Sequence, residues 1–256
     1  MISCKLQGGL GNQLFQIAAT HALALRNNDT SCFDIGGCYT PLQGHTASKY
    51  ANNILSNVLN VSGHRFSSIY HEPRFGYQPI PYAPNRHLIG YFQSEKYFED
   101  YKREIKNLFK ITQVDAAKEI LEPYTGKGKL ITSVHIRRGD YLNNPAYHPT
   151  SSFEYYKEAM ELIGDSIFIF ISDDIDWVKA NFIGENYTYS TASDELTDLA
   201  IMTLCDHNII ANSSFSWWGA YLNPNKGKIV IAPKEWFGPN GHKDTEDVTP
   251  DNWLRL

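Results

Sequence analysis

Leu130-Ile131-Thr132-Ser133-Val134-His135-Ile136-Arg137-Arg138-Gly139-Asp140 is the stretch whose reading decides the fold. Its apolar first half, entered from the Gly126-Lys127-Gly128-Lys129 turn, reads as a short buried strand. The strand ends in a histidine, two arginines, a glycine and an aspartate. That puts charge at the carboxyl end of a strand, where open α/β sheets bind ligands. Two adjacent guanidiniums there call for an anionic partner, and a diphosphate suits a planar fork of donors. The plainer reading is a solvated surface pair. The Arg-Gly-Asp tripeptide within the stretch is a chance match to an adhesion sequence, because a strand edge is not an exposed loop tip.

Outward from this strand, extended and helical patterns alternate. Downstream, a helix spans about 152–162, a strand Ile167 to Ile171, a helix follows Ser172-Asp173-Asp174, and another spans about Asp194 to Leu204. A strand at Asn208-Ile209-Ile210 leads into a helix through Trp218 and Tyr221, and Lys228 to Ile231 reads as the last strand. Upstream, Ile2 to Leu6 reads as a first strand. Gly8-Gly9-Leu10-Gly11 forms the turn after it, and Asn12 opens a helix with apolar positions at Leu14, Ile17, Ala18, Ala22 and Leu25. An extended piece follows near Cys32-Phe33-Asp34, residues 36–92 read as irregular, and helical patterns resume at Glu95 to Phe109 and Val114 to Leu121. This alternation predicts βαβ units and mostly parallel sheets. The pattern restarts between residues 110 and 128, so two lobes are expected, 1–125 and 126–256.

The 256 residues suffice for a substantial core; 42% are hydrophobic and 20% charged, as in a soluble globular protein. A net charge of −5 argues against a nucleic-acid partner and makes the paired arginines a local feature. No run of about 18 apolar residues is present, so no integral membrane segment is expected. The start lacks the regions of a signal peptide, and Cys4, Cys32, Cys38 and Cys205 lack metal-ligand spacing. They read as reduced, buried thiols of a cytoplasmic protein.

Three further clusters carry chemistry. Gly8-Gly9-Leu10-Gly11-Asn12-Gln13 joins a strand to a helix, where glycines permit close approach of a ligand to the helix N-terminus. A dinucleotide fingerprint starting at Gly9 and Gly11 fails at its third glycine, where Leu14 stands, although Asp34 sits at the distance of a ribose-binding acid. Asn212-Ser213-Ser214-Phe215 repeats the strand-to-helix form and offers hydroxyls and backbone N–H groups as a phosphate cradle, or else plain N-capping. The following Trp217 and Trp218 read as core. Asp174 and Asp176 form an Asp-x-Asp, a metal-holding pattern in many sugar-nucleotide enzymes. Capping of the next helix is the preferred reading, and no metal is expected. Asp198 alone reads as a solvated helix charge.

Together, the glycine loop with Gly11-Asn12-Gln13, the His135-Ile136-Arg137-Arg138-Gly139-Asp140-Tyr141 strand end and the block Ala211 to Ala220 resemble the alpha-1,2-fucosyltransferase family. The resemblance covers roughly residues 2–15, 130–141 and 166–232. It implies a GT-B-like α/β architecture: two Rossmann-like lobes with an inter-lobe cleft, the first lobe on the acceptor side and the second binding the donor. It further implies GDP-fucose as co-substrate, a galactose-terminated glycan as acceptor, inversion at the anomeric carbon and no metal or other cofactor. Arg137 is then the β-phosphate ligand, with His135 facing the nucleotide from the same strand. Ser213, Ser214 and Phe215, next to Asn212, form the second phosphate cradle. Asp198 accepts from both donors of the guanine edge. Gly9 and Gly11 shape the donor-side loop, Ser172 and Asp173 line the donor site, and Asn12 lies beside the transferred fucose. Asp140 is offered as catalytic base, or else as a partner of Arg138. The irregular 36–92 region, where acceptor contacts are expected, leaves the acceptor open. Lipid-linked glycan at a membrane surface is one candidate.

Two rivals remain. A nicotinamide-dependent oxidoreductase built on Gly9, Gly11 and Asp34 leaves the arginines and the Ser-Ser-Phe block without a role. A non-catalytic nucleotide-sugar or glycan-binding module keeps the cradle but has no need of Asn12.

Overall fold

A computed structural model describes residues 1–36 and 44–256; Cys38, read above as a buried thiol, lies outside them. The chain divides into two compact units, Met1–Ile111 with Asp244–Pro250, and Thr112–Lys243 with Asp251–Leu256.

The first unit contains β1 (Ile2–Cys4), α1 (Leu10–Arg26), β2 (Ser68–His71), β3 (Arg86–Ile89) and α2 (Lys102–Leu108). Its strands are parallel in the order β1-β3-β2. Parallel bridges from Ile2 to Ser31 and from Phe33 to Asn60 carry the sheet beyond β1. Helix α1 buries Leu14, Ile17, Ala18 and Ala22 completely, as its apolar spacing requires. It begins two residues earlier than the sequence suggests, at Leu10, with Gly9 as its N-cap. Residues 36–92 are not uniformly irregular: they contain β2 and β3. Those strands are four residues long and mostly half-exposed, which hides the alternation a sequence reading relies on. The expected helix over 95–109 is two short 3₁₀ turns followed by α2.

The second unit contains α3 (Val114–Leu121), β4 (Leu130–Ile136), α4 (Phe153–Ile163), β5 (Ser166–Ser172), α5 (Ile175–Asn181), β6 (Tyr187–Tyr189), α6 (Glu195–Leu204), β7 (His207–Ile209), α7 (Ser214–Leu222), β8 (Val230–Ala232) and β9 (Leu254–Arg255). The six strands are all parallel in the order β6-β5-β4-β7-β8-β9. Numbered within the unit, this is the 3-2-1-4-5-6 order of a dinucleotide-binding sheet, with its switch point between β4 and β7. Strands β4 and β5 pair over seven residues, from Leu130↔Ser166 to Ile136↔Ser172. Val134, Ile136, Phe168 and Phe170 pack there against Tyr155, Tyr156 and Met160 of α4 and against Val178 and Phe182. Each such apolar side chain contributes roughly 1.5–3 kcal/mol on burial.

Local chemistry fixes where the helices start. Ser152 caps α4 by accepting the Tyr155 N–H at 3.1 Å, and Gly164 closes that helix with a φ of 80°. The Asp194 carboxylate accepts from Leu196 and Thr197 to start α6. A buried amide network ties the sheet to its helices: Asn208 Nδ2 donates to Ser133 and to the Met202 carbonyl, and Asn223 Nδ2 donates to Asn208 Oδ1. Trp217 and Trp218 are fully buried, with Trp217 stacked on Tyr221, so both are core.

Candidate functional site

Because its strands are parallel, every connection leaving the second sheet starts at one edge. The loops after β4, β5 and β7 therefore emerge side by side at the switch point. Side chains lock them together. The Tyr141 hydroxyl, beyond β4, donates to the Asn212 carbonyl, beyond β7, at 2.9 Å. The rings of His135 and Phe215 lie 5.6 Å apart. Arg137 Nη1 is 3.0 Å from Asp173 Oδ2, beyond β5.

Arg137 is held by two carboxylates. Its Nη2 donates to Asp140 at 2.5 Å, and its guanidinium sits 5.5 Å from the centre of the Tyr141 ring. A guanidinium has five donors, so this grip orients the group without exhausting it. Arg138 serves a different purpose: it stacks 3.6 Å over Trp177, and its Nε donates to Asp174 at 3.0 Å. Asp140 is thus the partner of Arg137, not of Arg138. Asp174 stands at the N-cap position of α5 yet makes no capping bond, because its carboxylate is spent on Arg138. The capping reading of Asp174 is corrected accordingly. Ser172 does the local work, its hydroxyl accepting the Asp174 N–H at 3.0 Å. Asp173 also accepts the Arg138 backbone N–H at 2.9 Å. A Cβ on Gly139 would come within 2.4 Å of Asp173 Oδ2, so the glycine in the motif lets this carboxylate reach Arg137.

At the start of α7, Ser213 is the N-cap residue but makes no side-chain capping bond. Its hydroxyl does not take up the helix's first N–H groups, which makes plain capping a poor account of Ser213. Two buried polar atoms beside this turn, His135 Nδ1 and Asn212 Oδ1, have no protein hydrogen-bond partner. Such atoms are rare in folded proteins, and at a strand edge they are available to a polar ligand or an ordered water. Burial, reinforced by Arg137, lowers the His135 pKa to about 3, so the imidazole is neutral.

Asp198 lies in the first turn of α6, the helix that starts after β6. It is not a solvated helix charge. Its Oδ1 accepts the Ser190 hydroxyl at 2.6 Å, and Ser190 is itself tied through its N–H to the Phe170 carbonyl of β5. Burial pushes the carboxyl up to about 6; the Ser190 hydroxyl opposes this, and Asp194 and Glu195 add to it. Perturbed carboxyls of this kind concentrate at functional sites.

Gly9, Gly11 and Asn12 belong to the first unit. Asn12 Oδ1 accepts from Gln93 Nε2 at 2.7 Å. Gln13 is only 2% exposed; its amide nitrogen braces the glycine loop by donating to the Gly8 and His45 carbonyls, while its Oε1 is buried without a protein hydrogen-bond partner. Asp34 accepts from Ser62. Among the described residues, no group of three or more His, Cys, Asp and Glu is arranged to hold a metal ion. No described helix is long and apolar enough to cross a membrane. Trp177 is a part of the site that the sequence does not single out; Asp174 reads there only as a capping or metal-pattern acid, and Tyr141 stands in its motif without a role. The position of Tyr141, directly after the charged motif, was the available signal.

A family model described as glycosyl transferase family 11 matches residues 41–256. The chain belongs to glycosyl transferase family 11. The family 11 chain is 30% identical to the O-antigen biosynthesis glycosyltransferase WbnK of Escherichia coli, with all of both chains covered. It is 28% identical to an alpha-1,2-colitosyltransferase of the same organism, over all of this chain and 99% of the relative. A galactoside 2-alpha-L-fucosyltransferase of Caenorhabditis elegans is 26% identical, over all of this chain and 79% of the relative. Among solved structures, the fucosyltransferase NodZ from Bradyrhizobium superposes with a TM-score of 0.52 at 16% identity, covering 87% of this chain and 93% of that one. That likeness shows the fold alone: the family 11 chain is a mixed α/β protein of GT-B type, built on parallel sheets.

Proposed function

We propose that the protein transfers L-fucose from GDP-β-L-fucose to the 2-hydroxyl of a galactoside, with inversion, giving an α-1,2 linkage. The observation that carries this reading is the convergence at the β4/β7 switch point. A guanidinium oriented by two carboxylates stands beside an uncapped helix start and two unpartnered buried polar atoms. Breaking the bond to the nucleotide leaves negative charge on the departing diphosphate. Arg137 and the first N–H groups of α7, near Ser213, Ser214 and Phe215, are preorganised donors for that charge and do not have to reorganise as it develops. Asp140 and Asp173 then act as positioning residues that aim Arg137. Asp198 reads the guanine edge, with His135, Asn212 and Ser172 lining the donor site. Gly9, Gly11 and Asn12 keep the sugar-side roles implied by their motif. We propose a metal-independent reaction, in which Arg137 supplies the positive charge that the departing diphosphate needs. Three buried free thiols, Cys4, Cys32 and Cys205, support a reducing, cytoplasmic setting.

One relative supports a second reading of the donor. Colitose is fucose without its 3-hydroxyl, and the colitosyltransferase relative aligns over 99% of its length. The test is to offer the GDP derivatives of both sugars with a panel of β-galactosides in excess EDTA, reading the new linkage by NMR. An α-1,2-fucosylated product is expected. Transfer of colitose alone would move the protein to the second reading. No transfer without manganese would overturn metal independence. Thermal stabilisation by NAD but not by GDP would overturn the function itself.

A further inference from the structure

The transfer also needs somewhere for the acceptor's proton to go, and in the second unit Asp140 is engaged by Arg137. A different carboxyl stands out at the carboxyl edge of the first unit's sheet. There the parallel strands β1, β3 and β2 release three loops: the glycine loop leading to Asn12, the Gly90-Tyr91-Phe92-Gln93 turn, and Glu72. The Glu72 N–H continues the ladder by donating to the Ile89 carbonyl at 2.8 Å. Its side chain then reaches over the end of β3. Oε2 accepts the Tyr91 N–H at 2.7 Å, and Oε1 accepts the Phe92 N–H at 3.0 Å with the Tyr97 hydroxyl at 3.5 Å.

This grip is unusually constrained. Phe92 is fully buried with a φ of 52°, a conformation that L side chains adopt only at a cost. A Cβ on Gly90 would lie 2.5 Å from the Glu72 Cβ, so that glycine is required for the carboxyl to approach. One residue further on, Gln93 is 6% exposed, donates to Asn12 and leaves its own Oε1 buried without a hydrogen-bond partner. Backbone strain, an unsatisfied amide oxygen and a rigidly held carboxyl thus coincide at the strand ends that also carry Asn12.

The geometry points to Glu72 as the catalytic base that takes the acceptor hydroxyl's proton, an inference that rests on the fucosyl-transfer reading above. The acceptor O–H bond breaks and its oxygen forms the new bond to the anomeric carbon. The bond from that carbon to the diphosphate breaks, the diphosphate leaves with the electron pair, and the proton ends on Glu72. Burial pushes this carboxyl up to about 7; the bonds from Tyr91, Phe92 and Tyr97 oppose the rise, and the nearby Asp244 adds to it. A base with that proton affinity suits neutral pH. The titratable groups facing it are Tyr70 on its own strand, Tyr97 from the following 3₁₀ turn and Asp244 from the returning segment. Both tyrosines are pushed above their usual range, so neither sets a limb near pH 7.

The experiment compares pH profiles of kcat and kcat/KM for the wild type, Glu72→Gln and Glu72→Asp, with GDP affinity measured alongside. Wild-type turnover should fall with one proton as pH drops through about 7. Glu72→Gln should lose roughly 10²- to 10⁴-fold in kcat and lose that limb. GDP affinity should stay within about twofold, and Glu72→Asp should recover part of the rate. A wild type without an acid limb overturns the proposal with no variant needed. So does a Glu72→Gln protein that binds GDP normally and turns over within threefold of wild type. A wild type that binds GDP but transfers no fucose fails the functional reading itself, and this inference with it.

Discussion

Arg137 is the residue on which the donor chemistry turns, because its guanidinium is aimed by Asp140 at one nitrogen and Asp173 at another. Arg137→Ala should cost at least about a hundredfold in kcat, the usual loss on deleting a donor to a developing anion. Arg137→Lys should restore little, since one ammonium cannot span both carboxylates and keep a fork for phosphate. Steady-state kinetics decide it: turnover near wild type in either variant would remove the diphosphate role. Asp198 makes a second, pH-resolved expectation. Its folded carboxyl sits near 6, above the ordinary value, so the free protein favours the protonated form in acid. Stability from this group is therefore present in acid and lost as pH rises through about 6. The two guanine donors favour the carboxylate, so GDP binding should release a proton near pH 6, strengthen as pH rises through that value and level off above it. Asp198→Asn should weaken GDP by about 2–4 kcal/mol and flatten the pH dependence. Titration calorimetry at pH 6 in buffers of differing ionisation heat reads both. Equal affinities with no proton release would detach Asp198 from guanine.

At the scale of elements, the start of α7 is placed by how that helix packs on α6. A Cβ on Gly219 would lie 2.4 Å from Met202 Sδ and 2.8 Å from Met202 Cβ, with Met202 itself buried. Alanine in place of glycine gains about 1 kcal/mol of helix propensity, while overpacking a tight core costs about 1–3 kcal/mol. The cost wins, so Gly219→Ala should lower the melting temperature by a few degrees and weaken GDP binding as α7 shifts. A melting temperature that rises would mean the methionine simply swings aside. The elements differ sharply in how readable they were. Strands β4 and β5 are seven residues long and almost wholly buried, β5 with a continuous apolar run from Ile167 to Ile171 and β4 with apolar residues at both ends of a buried Thr-Ser pair. Strands β2 and β3 are short and half-exposed, β6 is the three residues Tyr187–Tyr189, and β9 is two. Such segments are strands because a neighbour offers them a ladder, and no local pattern records that. The site follows the same rule. Arg137, Ser213 and Asp173 announce themselves at strand ends. The stacking of Arg138 on Trp177, and the hydrogen bonds from Tyr91 and Phe92 to Glu72, join residues far apart in sequence.

For the whole molecule, the informative feature is how the chain ends. Residues Asp244–Pro250 return to the first unit, and Asp251–Leu256 go back to the second. In the first unit, Asp244 accepts the Gly76 N–H at 2.8 Å, Asp247 accepts the Tyr77 N–H at 3.0 Å and pairs with Lys96, and Val248 is buried. In the second, β9 covers the edge of β8, the Lys234 N–H donates to the Leu256 carbonyl at 2.6 Å, and Trp253 packs 5.4 Å from Trp217. The last thirteen residues therefore finish both units, and two truncations separate the contributions. Removing 251–256 takes away an edge strand and a buried tryptophan, a loss of several kcal/mol by the scale of large-to-small core changes. Hydrogen exchange should accelerate in β7, β8 and α7, while the amides of Gly76 and Tyr77 stay protected. Removing 244–256 should expose those two amides as well and loosen the turn around Glu72, whose surroundings include Asp244. GDP should rescue exchange in the second unit of either protein by mass action, and should do nothing for Gly76 and Tyr77. If the longer truncation left those amides as protected as the shorter one does, the returning segment would be a passenger on the first unit and not part of its fold.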